Sequence, residues 1–398
     1  MEEKEEVKET VGSTDLVDDV KTEEGDVEDT SNEYNVHKIY KKYARNDVGI
    51  LSTHNFSIGA DTNRYKMKTT VDDMYKKLSK NNIREITLPF SGGYDSTLAV
   101  VMLYEMSAHY EYRFTLRLVY CDAEFSPTKR VRERAAVDKI LRILDKHPGH
   151  TNIKRILATP SFAFGAFGNL PNMRLVQQGF WTALMAFFVG DNPDKDAIIF
   201  SYIKGDDASI MTDEICQSIH WLTAITKREK RDERKYTILF PILEYPKKQI
   251  LMDLYNVNPK LLSAAVICED ATHNKLKGID VKDPKFVCGK CKPCTVLKDT
   301  IIQILLSLKP KLKKDIARFK EREERYKNQG WSLKELEREQ DELVEVEECI
   351  QFFENMLKEK FELSVEVNFT VYDGFNNKKD VKKEEEVQKS ESTETKKK

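Results

Sequence analysis

The sequence predicts an α/β protein with a doubly wound parallel sheet, and three observations carry that expectation. From residue 83 to residue 255, short apolar runs that read as strands alternate with longer runs that read as helices. A glycine turn, Ser91-Gly92-Gly93, separates the first of these strands from a helix too apolar to face water. Polar residues, among them Asp122 and Gly205-Asp206-Asp207, fall just after strands, where open parallel sheets keep their ligand crevices.

Taken in order, residues 36–70 are polar and mixed, and only Ile50, Ser52, His54, Phe56 and Ile58 offer the period-2 pattern of a strand. Residues 71–80 read as a short helix. Ile86, Leu88 and Phe90 mark the first strand, and residues 97–104 the buried helix that follows the glycine turn. Strands are then expected at 115–121, 153–158, 197–203 and 236–240, with helices at 127–147, 175–189, 212–230 and 247–255. A loop at 161–172 carries Gly165 and Gly168. Residues 296–308 look like the helix that closes this domain.

Farther on, Ser332-x-x-Glu335 is a capping box opening a helix in which Leu336, Leu343, Ile350 and Leu357 recur every seven residues, with Val346 and Phe353 between them. That pattern suits either a coiled-coil seam or a helix folded back on its own domain. Phe361, Leu363, Val365, Val367, Phe369 and Val371 alternate with polar residues as a half-buried strand does. Its partner would be residues 50–58 or another protomer.

Charge bounds the ends of the chain. The whole carries a net −2 with 33% charged residues, yet residues 1–35 hold 14 acids against three lysines and residues 376–398 hold eight lysines against six acids. Both ends are too poor in apolar side chains to repay the entropy of ordering, so disordered tails are expected there. The acidic arm suits simple solvation, masking of the basic body of the chain or recruitment of a basic partner. No apolar run is long enough to span a bilayer and the N-terminus lacks a signal-like pattern, so the expectation is a cytoplasmic protein.

Two constellations carry chemistry. The first is the glycine turn. A strand-to-helix turn leaves backbone N–H groups unpaired at a helix N-terminus, and Gly92 and Gly93 let an oxyanion approach them. Ser91 and Ser96 add hydroxyls, and Asp95 is placed to orient a metal ion or cap the helix. No lysine follows the last glycine, as a Walker A loop would require. The second is Cys288-x2-Cys291-x2-Cys294, three thiolates on a tight knuckle, with Cys268, or His273 in its place, as fourth ligand of a tetrahedral Zn²⁺ site. An iron–sulfur cluster is the lesser alternative. Cys121, Cys216 and Cys349 read as small core residues.

The full Ser91-Gly92-Gly93-Tyr94-Asp95-Ser96 resembles the PP-loop of the N-type ATP pyrophosphatase superfamily. Combined with Cys288-Gly-Lys-Cys-Lys-Pro-Cys294, it resembles the 7-cyano-7-deazaguanine synthase family over residues 83–308. Residues 239–243 followed by 247–250, and residues 266–268, add to that likeness. The resemblance implies an α/β PP-loop fold, ATP and Mg²⁺ as cofactors, and pyrophosphate held by Ser91, Gly92, Gly93, Asp95 and Ser96. It implies a structural Zn²⁺, with a deazapurine carboxylate and ammonia as substrates and a nitrile as product. Asp122 matches the family's acid after the second strand, Arg174 its P-x-R-N arginine, and Asp207 its later acidic motif, though the residues around each depart from the family pattern.

These departures keep other readings open. One is a diverged relative of the kind carried in bacterial anti-phage operons, acting on another base, a nucleic acid or a protein. A second is an ATP-binding scaffold without turnover, assembling as a homodimer or with an operon partner through residues 332–371. A third is a nucleic-acid binder using the basic residues of helix 127–147. Asp206 and Asp207 suit Mg²⁺ or a plain turn; Arg174 and Lys204 suit an anion or a solvated surface. The expected organisation is an acidic tail (1–35), an extension (36–82), the PP-loop domain with its knuckle (83–308, knuckle 268–294), a helix-and-strand extension (309–375) and a charged tail (376–398).

Overall fold

The computed structural model describes residues 61–123, 127–162, 177–226, 235–268, 287–332 and 334–364. The expected strand at 50–58, the 365–371 part of the strand expected at 361–371, both tails, Arg174 and His273 lie outside them. Helix α1 (Asp61–Lys80) leads into β1 (Glu85–Pro89), α2 (Tyr94–Tyr110), β2 (Phe114–Val119), the short β3 (Asp122–Ala123) and α3 (Pro127–Asp145). Next come β4 (Ile153–Ala158), the short β5 (Ser161–Phe162), α4 (Gln177–Phe188), β6 (Asp196–Ile199), α5 (Thr212–Thr226), β7 (Thr237–Leu239), α6 (Lys247–Val257) and α7 (Pro259–Ala264). The described chain ends with α8 (Lys292–Gln329) and α9 (Lys334–Phe361).

Strands β4-β2-β1-β6-β7 form one sheet in that order, and every pairing is parallel. The chain starts at the middle strand, winds outward through β2 and β4, then crosses back to lay β6 and β7 on the other side of β1. Parallel crossovers place helices on both faces, so the strands are apolar on both sides. In β6 and the residue after it, Ala197 and Ile199 join one core while Ile198 and Phe200 join the other. Helix α2 shows the same logic, with every residue from Ser96 to Ser107 buried. A helix apolar around its whole circumference belongs inside. It ends where Glu111 adopts a left-handed conformation at φ 51°.

The sequence expectation holds for the sheet and is corrected at the C-terminal side. The helix expected at 296–308 continues to Gln329, 38 residues in all, passing through Pro310. Gly330 ends it in a left-handed cap. Helix α9 then folds back along α8, tied by ion pairs Arg322–Glu339 and Lys309–Glu354, and its Phe352 and Phe353 pack on Tyr255 of α6 at 5.1 and 5.7 Å between ring centroids. The heptad residues Leu336, Ile350 and Leu357 are buried within this chain, so the seam is internal. Phe361 belongs to the helix end and not to a strand; Glu362, at φ 54°, terminates α9. Among the described residues, no helix is long and apolar enough to cross a membrane.

Candidate functional site

Strand order reverses between β1 and β6, one leading outward to β2 and the other to β7. Connections leaving such neighbours diverge and open a crevice at their carboxyl ends. The glycine turn follows β1 and the Gly205-Asp206-Asp207 turn follows β6, so both line it. Gly92 adopts φ +72°, and a Cβ there would lie 3.1 Å from Ala136 Cβ and 3.2 Å from the Val137 backbone nitrogen of α3. Glycine is therefore required by conformation and by the close approach of α3. Gly93 differs: it is extended (φ −76°, ψ 165°) and a Cβ would meet nothing nearer than Ser91 Oγ at 3.4 Å.

Gly93 is the N-cap of α2, and its carbonyl accepts the first helical bond, from Thr97 N–H at 3.0 Å. The N–H groups of Asp95 and Ser96 thus have no helical acceptor, and they carry the positive end of the helix dipole. The Ser96 hydroxyl donates to Gly93 O at 3.2 Å and is buried, so it braces the turn rather than reaching outward.

Asp95 makes no capping bond. Both of its oxygens instead accept from Lys247 Nζ, at 2.7 and 2.8 Å. Lys247 is the first residue of α6, where the helix dipole opposes a cation, so this position needs the carboxylate or another anion to hold it. The same ammonium lies 5.8 Å from the centre of the Tyr94 ring. Lysine is absent from the glycine turn itself, and the fold supplies one from 152 residues downstream.

Asp206 completes the cluster. Its carboxylate accepts from Ile203 N–H at 3.2 Å. The residue is open to water, yet partial desolvation raises its pKa. Asp95 raises it further, while the Ile203 N–H bond and the charges of Lys247 and Lys292 lower it. Asp95, Lys247 and Lys292 are therefore all within electrostatic reach of Asp206. Lys292 is, like Lys247, the first residue of a helix. The N-termini of α2, α6 and α8 thus contribute to one site. Beside it, the Tyr202 hydroxyl is buried with no hydrogen-bond partner among the described residues, and its ring stacks on Phe200 and Phe240 at 5.2 and 6.3 Å.

The four cysteines come together as the spacing suggested. Sγ atoms of Cys268, Cys288, Cys291 and Cys294 all lie within 4.8 Å of one another, with Cys288 and Cys294 at 4.0 Å. A tetrahedral Zn²⁺ with Zn–S of about 2.3 Å sets thiolates about 3.8 Å apart, so the set fits that ion. Gly289, at φ +70°, turns the knuckle so that the N–H groups of Lys290 and Cys291 donate to Cys288 Sγ at 3.4 and 3.2 Å. Such donors favour a thiolate. Phe361 at the end of α9 packs against this cluster, so the α8–α9 hairpin leaves from the knuckle and returns to it.

No family model and no curated protein matches the sequence. Among solved structures, the chain is similar to the U34-tRNA thiolase NcsA of Methanococcus maripaludis with its 4Fe–4S cluster, at 14% identity over 55% of this chain and 68% of that one, TM-score 0.31. It is also similar to NMN synthetase of Francisella tularensis, at 12% identity over 60% of this chain and 91% of that one, TM-score 0.30. A third likeness is the NH3-dependent NAD synthetase of Campylobacter jejuni subsp. jejuni, at 12% identity over 50% and 76%, TM-score 0.28.

Of the residues expected at the site, Ser91, Gly92, Gly93 and Asp95 line the turn. Asp122 pairs through its backbone with Ser161, just beyond β2. Asp207 begins the single 3-10 turn after Asp206. Sequence reasoning did not assign Lys247 and Lys292 to the site. The available signal was a lysine at the opening of each of two helices, where the dipole disfavours it.

Proposed function

We propose that the chain is an ATP-dependent adenylating enzyme of the PP-loop type. The observation that carries this reading is the Asp95–Lys247 pair at the N-terminus of α2, set at the reversal of strand order. That arrangement holds a cation, a carboxylate and unpaired N–H donors at the place where parallel sheets bind nucleotides. The N–H groups of Asp95 and Ser96 would bind the departing pyrophosphate. Lys247 would leave Asp95 for a phosphate oxygen, and Asp95, so released, would hold Mg²⁺. When bound, Mg²⁺ neutralises phosphate charge. Lys292 would add to the stabilisation of the same developing charge.

The acceptor oxygen would attack the α-phosphorus of ATP, forming a new P–O bond as the bond to the β-phosphate breaks and pyrophosphate leaves. For the acceptor, the sequence resemblance favours a deazapurine carboxylate. Ammonia would displace AMP from the acyl adenylate to give an amide. A second ATP would activate the amide oxygen, whose loss with AMP leaves a nitrile. Cys268, Cys288, Cys291 and Cys294 would hold Zn²⁺ as a closed, structural site.

The test combines purified protein with Mg-ATP, ammonium and 7-carboxy-7-deazaguanine, following AMP, pyrophosphate and the nitrile by mass spectrometry, with Asp95→Ala alongside. Nitrile formed with AMP and lost in the variant supports the full reading. AMP without nitrile keeps adenylation and redirects the search to another acceptor, as in a diverged enzyme acting on a nucleic acid or a protein. ATP binding with no AMP for any acceptor would replace the enzyme with a nucleotide-binding scaffold.

A further inference from the structure

At the amino end of the sheet, opposite the crevice, each strand begins at or beside a cation. Arg84 precedes β1, and its N–H donates to the carbonyl of Lys195, which precedes β6, at 2.6 Å. Register sets Glu85 level with Asp196 and Ala197 level with Thr237, so Arg84, Lys195 and Lys235 are level across β1, β6 and β7. On the other side Glu85 is level with Thr115 and Thr115 with Lys154, which places Lys154 on β4 and Arg113 just before β2 at the same edge. In sheet order the row reads Lys154, Arg113, Arg84, Lys195, Lys235. Strands about 4.8 Å apart make it about 19 Å long.

All five cations are exposed, and none makes an ion pair or a side-chain hydrogen bond among the described residues. Of the acids that open strands here, Glu85 pairs with Arg117 at 2.7 Å and Asp196 accepts from Asn192 N–H at 2.9 Å. Glu111 and Asp194, exposed neighbours in the chain of Arg113 and Lys195, are too few to neutralise the row. Scattered surface lysines are ordinarily a solvated face. Here Arg84, Arg113 and Lys154 instead line a cleft of about 420 Å³, together with Thr115, Thr151 and Asn152 and with no acid. A concave wall of one charge focuses potential and draws in a counter-charged ligand.

We propose that this edge binds the sugar-phosphate backbone of a single nucleic-acid strand, with the cleft as the central subsite and Lys195 and Lys235 extending the track. A lone phosphate would occupy the cleft and leave the rest of the row idle, whereas a strand repeats its charge along a line as the sheet repeats its cations. Arginine, lysine, threonine and asparagine are the side chains that contact phosphate and sugar, and the arginine fork matches phosphate oxygens. Phe114, the one aromatic residue lining the cleft, is buried, so no base stacks there and binding is independent of base sequence. The row lies at the far end of β1 from the glycine turn, so this site does not rest on the nucleotide reading.

The test is fluorescence anisotropy of a labelled single-stranded RNA of mixed sequence, longer than the row, titrated with the full chain across a salt series. Affinity should fall with salt at a log–log slope of about −2 to −3.5, as three to five neutralised phosphates require. Arg84→Gln combined with Lys154→Gln should weaken binding at low salt by about tenfold or more and flatten the slope by about 1.4. Arg134→Gln combined with Lys139→Gln removes the same charge from the exposed surface of α3 and should change neither. If melting curves show the first pair misfolded, Arg113→Gln with Lys195→Gln asks the same question. Absence of binding at low salt, or equal losses in the edge and α3 variants, would overturn the proposal. Displacement of the RNA by Mg-ATP at constant ionic strength would move the strand to the crevice and also overturn it. Equal affinity for polyglutamate of the same charge would replace the nucleic acid with an acidic protein partner.

Discussion

The two glycines of the turn serve different masters, and substitution should separate them. Gly92→Ala meets both a left-handed backbone and the atoms of α3, so it should lower stability by at least about 1–2 kcal/mol, read from urea unfolding. Gly93→Ala has room in the fold and should leave the melting curve within about 0.5 kcal/mol of the parent while filling the approach to the N–H groups, so ATP binding is what fails. Lys247→Ala should cut AMP formation by about 10²-fold or more and change stability by under about 1 kcal/mol, since the pair is partly open to water. For Asp206, the raised pKa makes ionisation a burden on the folded state, fully felt above that pKa and absent in acid. Asp206→Asn should therefore stabilise the protein at pH 7 by about 0.5 kcal/mol, a gain that fades as the pH falls to about 4; melting curves across that range show the trend. The glycines and Asp95 are legible in the sequence because a local motif carries them. Lys247 is not, because its partner sits 152 residues away and only the fold joins them.

Alternation of strand and helix at the element scale is legible because each apolar run has one burial pattern it can satisfy. Boundaries beyond the motif are less so. Helix α8 outruns its expected end since the apolar stripe weakens after Leu308 and Pro310 signals a break, yet the helix continues as the spine against which α9 packs. The seven-residue repeat in α9 is ambiguous for a physical reason: a seam looks the same whether its partner is another chain or the body of its own chain. Phe353 shows which partner it has, with no exposed surface and a ring beside Tyr255. Phe353→Ala should cost about 3–5 kcal/mol in chemical denaturation. Basic helix α3 offers a parallel lesson, for Arg132, one of its six basic residues between 129 and 142, is turned wholly inward onto Cys268 O.

Across the molecule, the sheet order sets where chemistry can happen, and the knuckle sets how firmly. Purified protein should carry one zinc per chain by elemental analysis, and Cys291→Ser should lose it and melt several degrees lower, because metal binding energy is also folding energy; a brown protein containing iron would correct the metal. The close pairs of this site join distant stretches of chain, and that has a consequence for its birth. At roughly 5–20 residues per second of synthesis, Asp95 leaves the ribosome roughly 8–30 s before the lysine that will hold it, and longer still before Val266 and the cysteines. During that interval the nascent chain has its glycine turn without Lys247 beside Asp95, so a truncated product ending before Lys247 would carry the recognisable motif in an incomplete candidate site.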